Sequence, residues 1–181
     1  SGSAPLLKDT FGAFTERTGK TIVERYGMTE AGIITSADLK KPRRAGTVGW
    51  PLDGVSLRVA DESDSALQDG ETGGVQIKGT SLFTEYWNSP KKTAEEFTDD
   101  GYFRTGDVGR IDPDGQLTLV GRAKDMFISG GFNVYPKEIE QVLDTLEGVE
   151  ESAVVGLPHP DFGEAGIAIV VPVPNQTLNF E

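Results

Sequence analysis

The first apolar residues of the chain recur at the spacing of one helix face. Leu7, Phe11 and Phe14 are separated by alternating steps of about three and four positions, which places them on one side of a helix. Pro5 suits the first helical position and Gly19 suits the stop. The pattern predicts a helix between Pro5 and Gly19.

The next apolar segment is rich in β-branched residues. Residues 21–25 (Thr-Ile-Val-Glu-Arg) predict a short strand, which opens into a loop at residues 26–30 (Tyr-Gly-Met-Thr-Glu). Further on, residues 55–59 and 75–77 alternate between apolar and polar side chains, which is typical of half-buried strands.

Turn and helix-start signals organise the middle of the chain. Residues 112–115 (Asp-Pro-Asp-Gly) separate the stretches 108–111 and 117–120, which predicts a hairpin. Ser89-Pro90 predicts the start of a helix that continues through residues 93–97. Several short strands with turns between them indicate a barrel-like or layered β region from about 45 to 121.

The pattern changes after Gly121. A short strand at 127–128 and a glycine loop at 129–131 precede Pro136, which begins a helix that Gly148 ends. The apolar residues of that helix fall at i, i+3, i+4 and i+7: Ile139, Val142, Leu143 and Leu146. Apolar strands at 152–157 and 167–171 complete a small α+β domain. We therefore predict two domains, 1–122 and 123–181, with a hinge near Lys124.

Composition narrows the classes of function. The 181 residues are 36% hydrophobic and carry a formal net charge of −12, which disfavours binding to nucleic acid. We find no run of 18 apolar residues and no signal peptide, so we expect no membrane association. The absence of cysteine is compatible with a cytoplasmic protein. The start Ser-Gly-Ser-Ala-Pro and the end at Glu181 lead us to expect a chain cut at both ends.

The loop at residues 26–30 carries the first candidate chemistry. Thr29 could donate a hydrogen bond to a phosphate oxygen, and Glu30 could hold a cation that bridges phosphates. The alternative is a capped turn in which Thr29 and Glu30 open a helix.

Asp107 is the second candidate, at the expected end of another short strand. A carboxylate there can accept two hydrogen bonds from a ribose diol, although an aspartate in an ordinary turn would fit the same pattern. Lys124 lies in a short charged segment that suits a hinge or an ordinary linker. Gly130 and Gly131 would allow close backbone approach to a ligand, or only a turn.

Three other segments lack a supporting context. Residues 161–163 (Asp-Phe-Gly) match a kinase metal motif, but no His-Arg-Asp loop or Gly-rich loop accompanies them, so we interpret them as a turn. His159, the only histidine, is expected in a surface turn. The basic residues 40–44 are interpreted as a solvated loop.

The order and spacing of the motifs together resemble the adenylate-forming superfamily of acyl-CoA synthetases, luciferases and peptide-synthetase adenylation domains. The resemblance covers essentially the whole chain. It rests on residues 26–30 (YGMTE), 46–51 (GTVGWP), 86–87 (YW), 104–107 (RTGD), 121–125 (GRAKD) and 129–140 (SGGFNVYPKEIE).

The resemblance implies a role for each matching position. Nucleotide-binding positions are Ser3, Ala4 and Pro5 along the adenine, Tyr26 stacked on it, Gly27 in the same loop, Thr29 on phosphate, Asp107 on the ribose, and Arg122. Glu30 would bind Mg²⁺ and, with Thr29, take part in catalysis. Lys124 would be the hinge, and Gly130 and Gly131 would meet the pantetheine arm of coenzyme A.

The resemblance also implies a fold and a reaction. The fold is α+β: a β-barrel-like end of a large adenylating domain and a small α+β C-terminal lid domain, both incomplete. A carboxylate attacks the α-phosphate of ATP to give an acyl-adenylate, and after the lid rotates the CoA thiolate attacks the acyl carbon. The expected partners are ATP, Mg²⁺, coenzyme A and a small carboxylic acid, with the rest of the same enzyme missing.

Arg25 bears on which acid is activated. In this superfamily the residue before the stacking aromatic lines the acyl pocket, and a guanidinium there can bind a second carboxylate. With the segments 24–30, 44–49 and 158–164, this resembles malonyl-CoA synthetases. The alternative is an outward-facing strand residue. The apolar stretch 31–35 departs from bacterial malonate enzymes and leaves methylmalonate or another small acid open.

Two parts of the family pattern are absent from the sequence. There is no phosphate loop ending in Pro-Lys-Gly, and no lid lysine, since Lys137 is the last basic residue. We therefore expect that the chain alone does not form adenylates. The alternatives are an adenylation domain of another class, such as an aryl- or fatty-acyl-CoA ligase or a peptide-synthetase module, and a catalytically inert fragment.

Overall fold

The described part of the chain forms two compact units. The computed structural model describes residues 2, 6–174 and 176, so the positions predicted to lie along adenine, Ser3, Ala4 and Pro5, fall outside it. The units divide between Leu119 and Val120. The α+β class is confirmed, whereas the assignment of residues 1–122 and 123–181 to an adenylating domain and a lid stays a prediction.

The first helix ends where its glycine predicts. Helix α1 spans Lys8–Thr18, and Gly19 follows it with a φ of 67°, a left-handed conformation that glycine adopts without strain. The Gly19 N–H donates to the carbonyl of Thr15 at 2.8 Å, which satisfies one terminal acceptor of the helix. Phe11 is buried, while Phe14 exposes 42% of its surface. The apolar face predicted from the spacing is therefore only partly used.

The first sheet has the order β1-β2-β3, with β1 Arg25–Met28, β2 Gly32–Ser36 and β3 Trp50–Pro51. The strand predicted at 21–25 is wrong: the strand begins at Arg25 and contains Tyr26. The reason is tertiary, because the Arg43 guanidinium donates to the carbonyl and the hydroxyl of Thr21, so a side chain and not a neighbouring strand satisfies this part of the backbone.

The second sheet carries the core of the first unit. It has the order β4-β5-β6-β7, with β4 Val55–Ala60, β5 Gly73–Gly79, β6 Phe103–Ile111 and β7 Leu117–Arg122. Helix α2, Pro90–Glu96, precedes β6 and starts at Ser89-Pro90 as predicted. The hairpin at 112–115 is confirmed, since the Gly115 N–H donates to the carbonyl of Asp112 at 2.7 Å. The sheets of the described residues are open, so the barrel-like expectation is not met as a closed barrel.

The second unit is a four-stranded sheet with a helix. Strands β8 Phe127–Ser129, β9 Phe132–Val134, β10 Val149–His159 and β11 Gly163–Pro172 have the order β10-β11-β8-β9. β10 and β11 form a long hairpin whose turn lies at residues 160–162, so Asp161 and Phe162 are in a turn as predicted and Gly163 begins β11. His159 ends β10 rather than lying in a loop.

Helix α3 is shorter than its apolar pattern predicted. It spans Pro136–Leu143 and does not reach Gly148. The hydroxyl and N–H of Thr145 both bond the carbonyl of Val142, and this local competition for the backbone ends the helix in turns. Within the described ranges, no helix combines the length and apolar character needed to cross a membrane.

Candidate functional site

Two predicted site residues, Tyr26 and Asp107, meet in the first unit. The hydroxyl of Tyr26, on β1, donates to Oδ2 of Asp107, on β6, at 2.5 Å, and each residue exposes 8% of its surface. Along β1 the exposed Arg25 precedes the buried Tyr26, the alternation expected of a strand. A phenol and a carboxylate that are far apart in the sequence are thereby fixed against each other.

Asp107 lies inside a strand and not at its end. β6 is nine residues long, and Asp107 is in its interior, which corrects the prediction of a short strand that ends at the aspartate. The Asp107 N–H donates to the hydroxyl oxygen of Thr105 at 3.1 Å, and that hydroxyl donates to the carbonyl of Val75 at 2.9 Å. The pairing of β6 with β5 shifts at this point, so the Thr105 side chain, and not regular sheet pairing, holds the backbone that carries this carboxylate.

Gly27 is required by the geometry of β1. The pairing with β2 shifts between Tyr26 and Gly27, so that Gly27 faces Ile33 and one residue of β2 is skipped. A Cβ atom on Gly27 would lie 2.3 Å from the carbonyl oxygen of Gly32. A close approach of two strands, and not an unusual φ, explains the glycine at this position.

Thr29 and Glu30 lie in the turn between β1 and β2. They do not open a helix, so that alternative is wrong. Thr29 is exposed and Glu30 is half-buried. Glu30 Oε1 accepts a hydrogen bond from the Tyr86 hydroxyl at 2.9 Å, and the Glu30 carbonyl accepts one from the Phe83 N–H at 2.7 Å. Burial, and then the Glu30 carboxylate, raises the pKa of Tyr86 to about 12, so this phenol stays protonated and donates.

Thr29 and Glu30 would need a bound ligand to complete a magnesium site. No group of three or more His, Cys, Asp or Glu side chains within the described ranges could hold a metal ion. Mg²⁺ in nucleotide sites is bound through about one or two carboxylates together with the substrate phosphates, so a lone Glu30 beside the Thr29 hydroxyl fits. Tyr86 bonds Oε1, and Oε2 of Glu30 has no hydrogen-bond partner among the described residues.

Arg25 is exposed on the face of β1 opposite Tyr26, where it pairs with Ser36 across the sheet. It forms no ion pair within the part of the chain that the structure describes. This placement suits both a cation that binds an anionic ligand and an outward-facing strand residue.

Glu24, which the sequence did not single out, is buried beside Arg25. It exposes 6% of its surface, and its Oε1 has no hydrogen-bond partner in the described structure. Burial raises the pKa of Glu24, and the hydrogen bond from the Gly46 backbone opposes that shift. No motif in the sequence marks Glu24, since its burial depends on tertiary packing.

The basic loop at 40–44 is not simply solvated. Besides Arg43, which binds Thr21, Arg44 forms an ion pair with Asp112. These contacts join the loop to the segment that precedes β1 and to the hairpin between β6 and β7. The interpretation of the loop as a solvated basic segment is therefore wrong for the half-buried Arg43, whereas Arg44 keeps an exposed side chain in a surface ion pair.

The other predicted site residues belong to the second unit. Arg122 is the last residue of β7, and Lys124 lies in the single 3-10 turn Ala123–Asp125 that follows. Both side chains are exposed. Gly130 and Gly131 form the two-residue turn between β8 and β9, with φ values of 57° and 85°. Positive φ at both positions is the geometry of a type I′ hairpin turn, so the turn alone accounts for the glycines.

Comparison with known proteins identifies the group to which the chain belongs. Residues 1–87 match the family described as AMP-binding enzyme, and residues 138–180 match the AMP-binding enzyme C-terminal domain. The chain is 42% identical over 172 residues to the malonate–CoA ligase of Arabidopsis thaliana, covering 94% of this chain and 28% of that protein. It is 38% identical over 180 residues to a feruloyl-CoA synthase of Amycolatopsis, covering 98% of this chain and 36% of that protein.

A solved structure shows the same fold. ATP-bound MatB from Rhodopseudomonas palustris is 50% identical, with a TM-score of 0.95 over 99% of this chain and 36% of that one. The chain thus spans about a third of the length of these relatives. The resemblance to the adenylate-forming superfamily is confirmed, and the chain belongs to the family of AMP-binding enzymes.

Proposed function

We propose that this chain is part of an ATP-dependent carboxylic acid:CoA ligase that acts on malonate or a similar small dicarboxylate in the cytoplasm. The observation that carries the proposal is the buried hydrogen bond between Tyr26 and Asp107, which joins two residues whose family roles are to bind one nucleotide. The absence of cysteine supports the cytoplasmic location.

The nucleotide would contact the first unit through three of its groups. Tyr26 would offer its ring to the adenine, and Asp107 would accept hydrogen bonds from the ribose hydroxyls. Each residue is only 8% exposed, so the ligand would contact a narrow edge of each side chain. Hydrogen bonds to a carboxylate are strong in such buried surroundings. Thr29, exposed at the turn, would donate to a phosphate oxygen.

Glu30 is the residue that would hold Mg²⁺, and when bound this ion offsets the negative charge of the phosphates. The acid would attack the α-phosphate, forming an acyl-adenylate and releasing pyrophosphate. The CoA thiolate would then attack the acyl carbon and release AMP. Arg122 would lie near the nucleotide, Lys124 would act as the hinge between the two reactions, and Gly130 and Gly131 would meet the pantetheine arm.

Arg25 would bind the second carboxylate of the acid. Its exposed guanidinium is unpaired among the described residues, and a guanidinium binds a carboxylate in a two-pronged geometry. The Arabidopsis malonate–CoA ligase, 42% identical, supports a dicarboxylate. A monoacid offers no second carboxylate to this cation, so it would lose the two-pronged contact.

The test is a pair of variants in the complete ligase that carries this chain. Arg25→Ala should raise KM for malonate far more than KM for propionate, because propionate has no second carboxylate. Arg17→Ala, which removes another exposed arginine, is the matched control and should change neither value. An equal rise for both acids in Arg25→Ala would overturn the dicarboxylate assignment.

The second candidate is a ligase for an aromatic or fatty acid. The observation that favours it is the 38% identity to a feruloyl-CoA synthase over 98% of the chain. ATP–pyrophosphate exchange across a panel of acids distinguishes the two: malonate or methylmalonate as the best substrate supports the first candidate, and ferulate or a fatty acid supports the second.

A further inference from the structure

Tyr86 and Phe83 donate hydrogen bonds to the side chain and to the backbone of Glu30. The Tyr86 hydroxyl donates to the carboxylate at Oε1 over 2.9 Å, and the Phe83 N–H donates to the backbone carbonyl over 2.7 Å. The two donors come from one segment that precedes α2, far from Glu30 in the sequence. The orientation of a half-buried turn carboxylate is thereby set from outside its own hairpin.

Tyr86 is itself firmly supported. Its N–H donates to the Thr93 hydroxyl oxygen at 3.0 Å, and that hydroxyl donates to the carbonyl of Ser89 at 3.0 Å. Its ring packs edge-on against Phe83 with centroids 4.7 Å apart, and Lys92 Nζ lies 4.4 Å from the ring centroid. These contacts fix the ring that carries the hydroxyl. The Tyr86 side chain therefore loses little conformational freedom when its hydroxyl orients a partner.

We propose that Tyr86 is a positioning residue that orients the Glu30 carboxylate to bind the Mg²⁺ of bound ATP. The inference rests on the proposed function, in which Glu30 is the metal ligand. The hydrogen bond occupies Oε1 and leaves Oε2, the oxygen without a partner in the described structure, to face the cation. Carboxylates that ligate metals are themselves held by hydrogen bonds, and loss of such a support costs about 10–100-fold in metal affinity.

The experiment measures metal binding without turnover. In the complete ligase that carries this chain, loaded with a non-hydrolysable ATP analogue and no acid, Mn²⁺ is titrated and its free concentration is read by electron paramagnetic resonance. The variants are Tyr86→Phe, Glu30→Gln and the double variant. Tyr102→Phe is the matched control, because it removes a phenol hydroxyl that has no hydrogen bond within the described structure while its ring stays under Arg58.

We expect Tyr86→Phe to weaken Mn²⁺ binding about tenfold. The affinity of Tyr86→Phe for the ATP analogue without metal should equal that of Tyr102→Phe. Phenylalanine keeps the ring packing, so Tyr86→Phe should fold. In the double variant, Tyr86→Phe should add no further loss of Mn²⁺ affinity to that of Glu30→Gln, because Tyr86 acts through the Glu30 carboxylate.

Each contrary result has its own meaning. Wild-type Mn²⁺ affinity in Tyr86→Phe, with a loss in Glu30→Gln, overturns the positioning role and leaves the proposed function standing. An equal loss of affinity for the metal-free analogue means that Tyr86 only supports the fold, which also overturns the inference. Unchanged Mn²⁺ affinity in Glu30→Gln removes Glu30 as the metal ligand and so contradicts the proposed function itself.

Discussion

The hydrogen bond from Tyr26 to Asp107 should contribute measurably to the stability of the first unit. Tyr26→Phe removes the hydroxyl and keeps the ring in the core, where Tyr26 packs with Ile34, Val75 and Phe103. A hydrogen bond to a charged group contributes about 1.5–3 kcal/mol, and with both partners only 8% exposed water cannot readily replace the lost donor. We take about 2 kcal/mol as the expected loss.

The loss can be followed in the first unit alone. Both tryptophans of the chain, Trp50 and Trp87, lie before Leu119, so tryptophan fluorescence reports on this unit during urea or thermal unfolding. For a domain of this size, 2 kcal/mol corresponds to a decrease in Tm of roughly 8 °C. Tyr102→Phe is the control, because it deletes a hydroxyl without a hydrogen bond in the described structure.

A double-mutant cycle isolates the pair. Asp107→Asn combined with Tyr26→Phe should cost less than the sum of the two single variants, with a coupling energy of about 1–2 kcal/mol. If Tyr26→Phe unfolds at the same urea concentration as Tyr102→Phe, or if the coupling energy is zero, the hydrogen bond does not fix these side chains and the reasoning is refuted.

Three further predictions concern other parts of the chain. Burial raises the pKa of Glu24, so its stabilising contribution is fully present below the ordinary carboxyl pKa and is lost as pH rises through the raised value. Glu24→Gln should lack this loss in thermal melts at a series of pH values. Parallel curves of Tm against pH for the two proteins would contradict the prediction. Gly27→Ala should destabilise the chain by about 1–3 kcal/mol in urea, because its Cβ would meet the Gly32 carbonyl oxygen, whereas Gly12→Ala, in open space, should not. In the complete ligase, Lys124→Pro should slow thioester formation more than pyrophosphate release, and equal losses would count against a hinge.

Features that depend on short-range chemistry were predictable from the sequence. The turn at 112–115, the helix starts at Ser89-Pro90 and Pro136, and the glycine pair at 130–131 are where the sequence places them. Proline fixes φ and glycine permits positive φ whatever the rest of the chain does, so a few neighbouring residues decide these positions. The family motifs belong to the same class, since they are read directly from the residue order.

Element bounds were predicted less well where distant groups compete for the backbone. The strand expected at 21–25 begins only at Arg25, because the Arg43 side chain, and not a neighbouring strand, binds the carbonyl of Thr21. The helix from Pro136 stops at Leu143, although its apolar periodicity continues to Leu146. Periodicity reports which side chains could be buried together and says little about which hydrogen bonds the backbone finally forms.

The sequence by itself determined the family, the α+β class and the candidate residues, because motif order and local propensity are properties of neighbouring positions. Only the tertiary structure decided that the Tyr26 phenol reaches Asp107, that Tyr86 holds Glu30, and that Glu24 is buried. These contacts join side chains across strands and turns that are far apart along the chain. Which groups meet there depends on sheet register and packing, which no short stretch of sequence specifies.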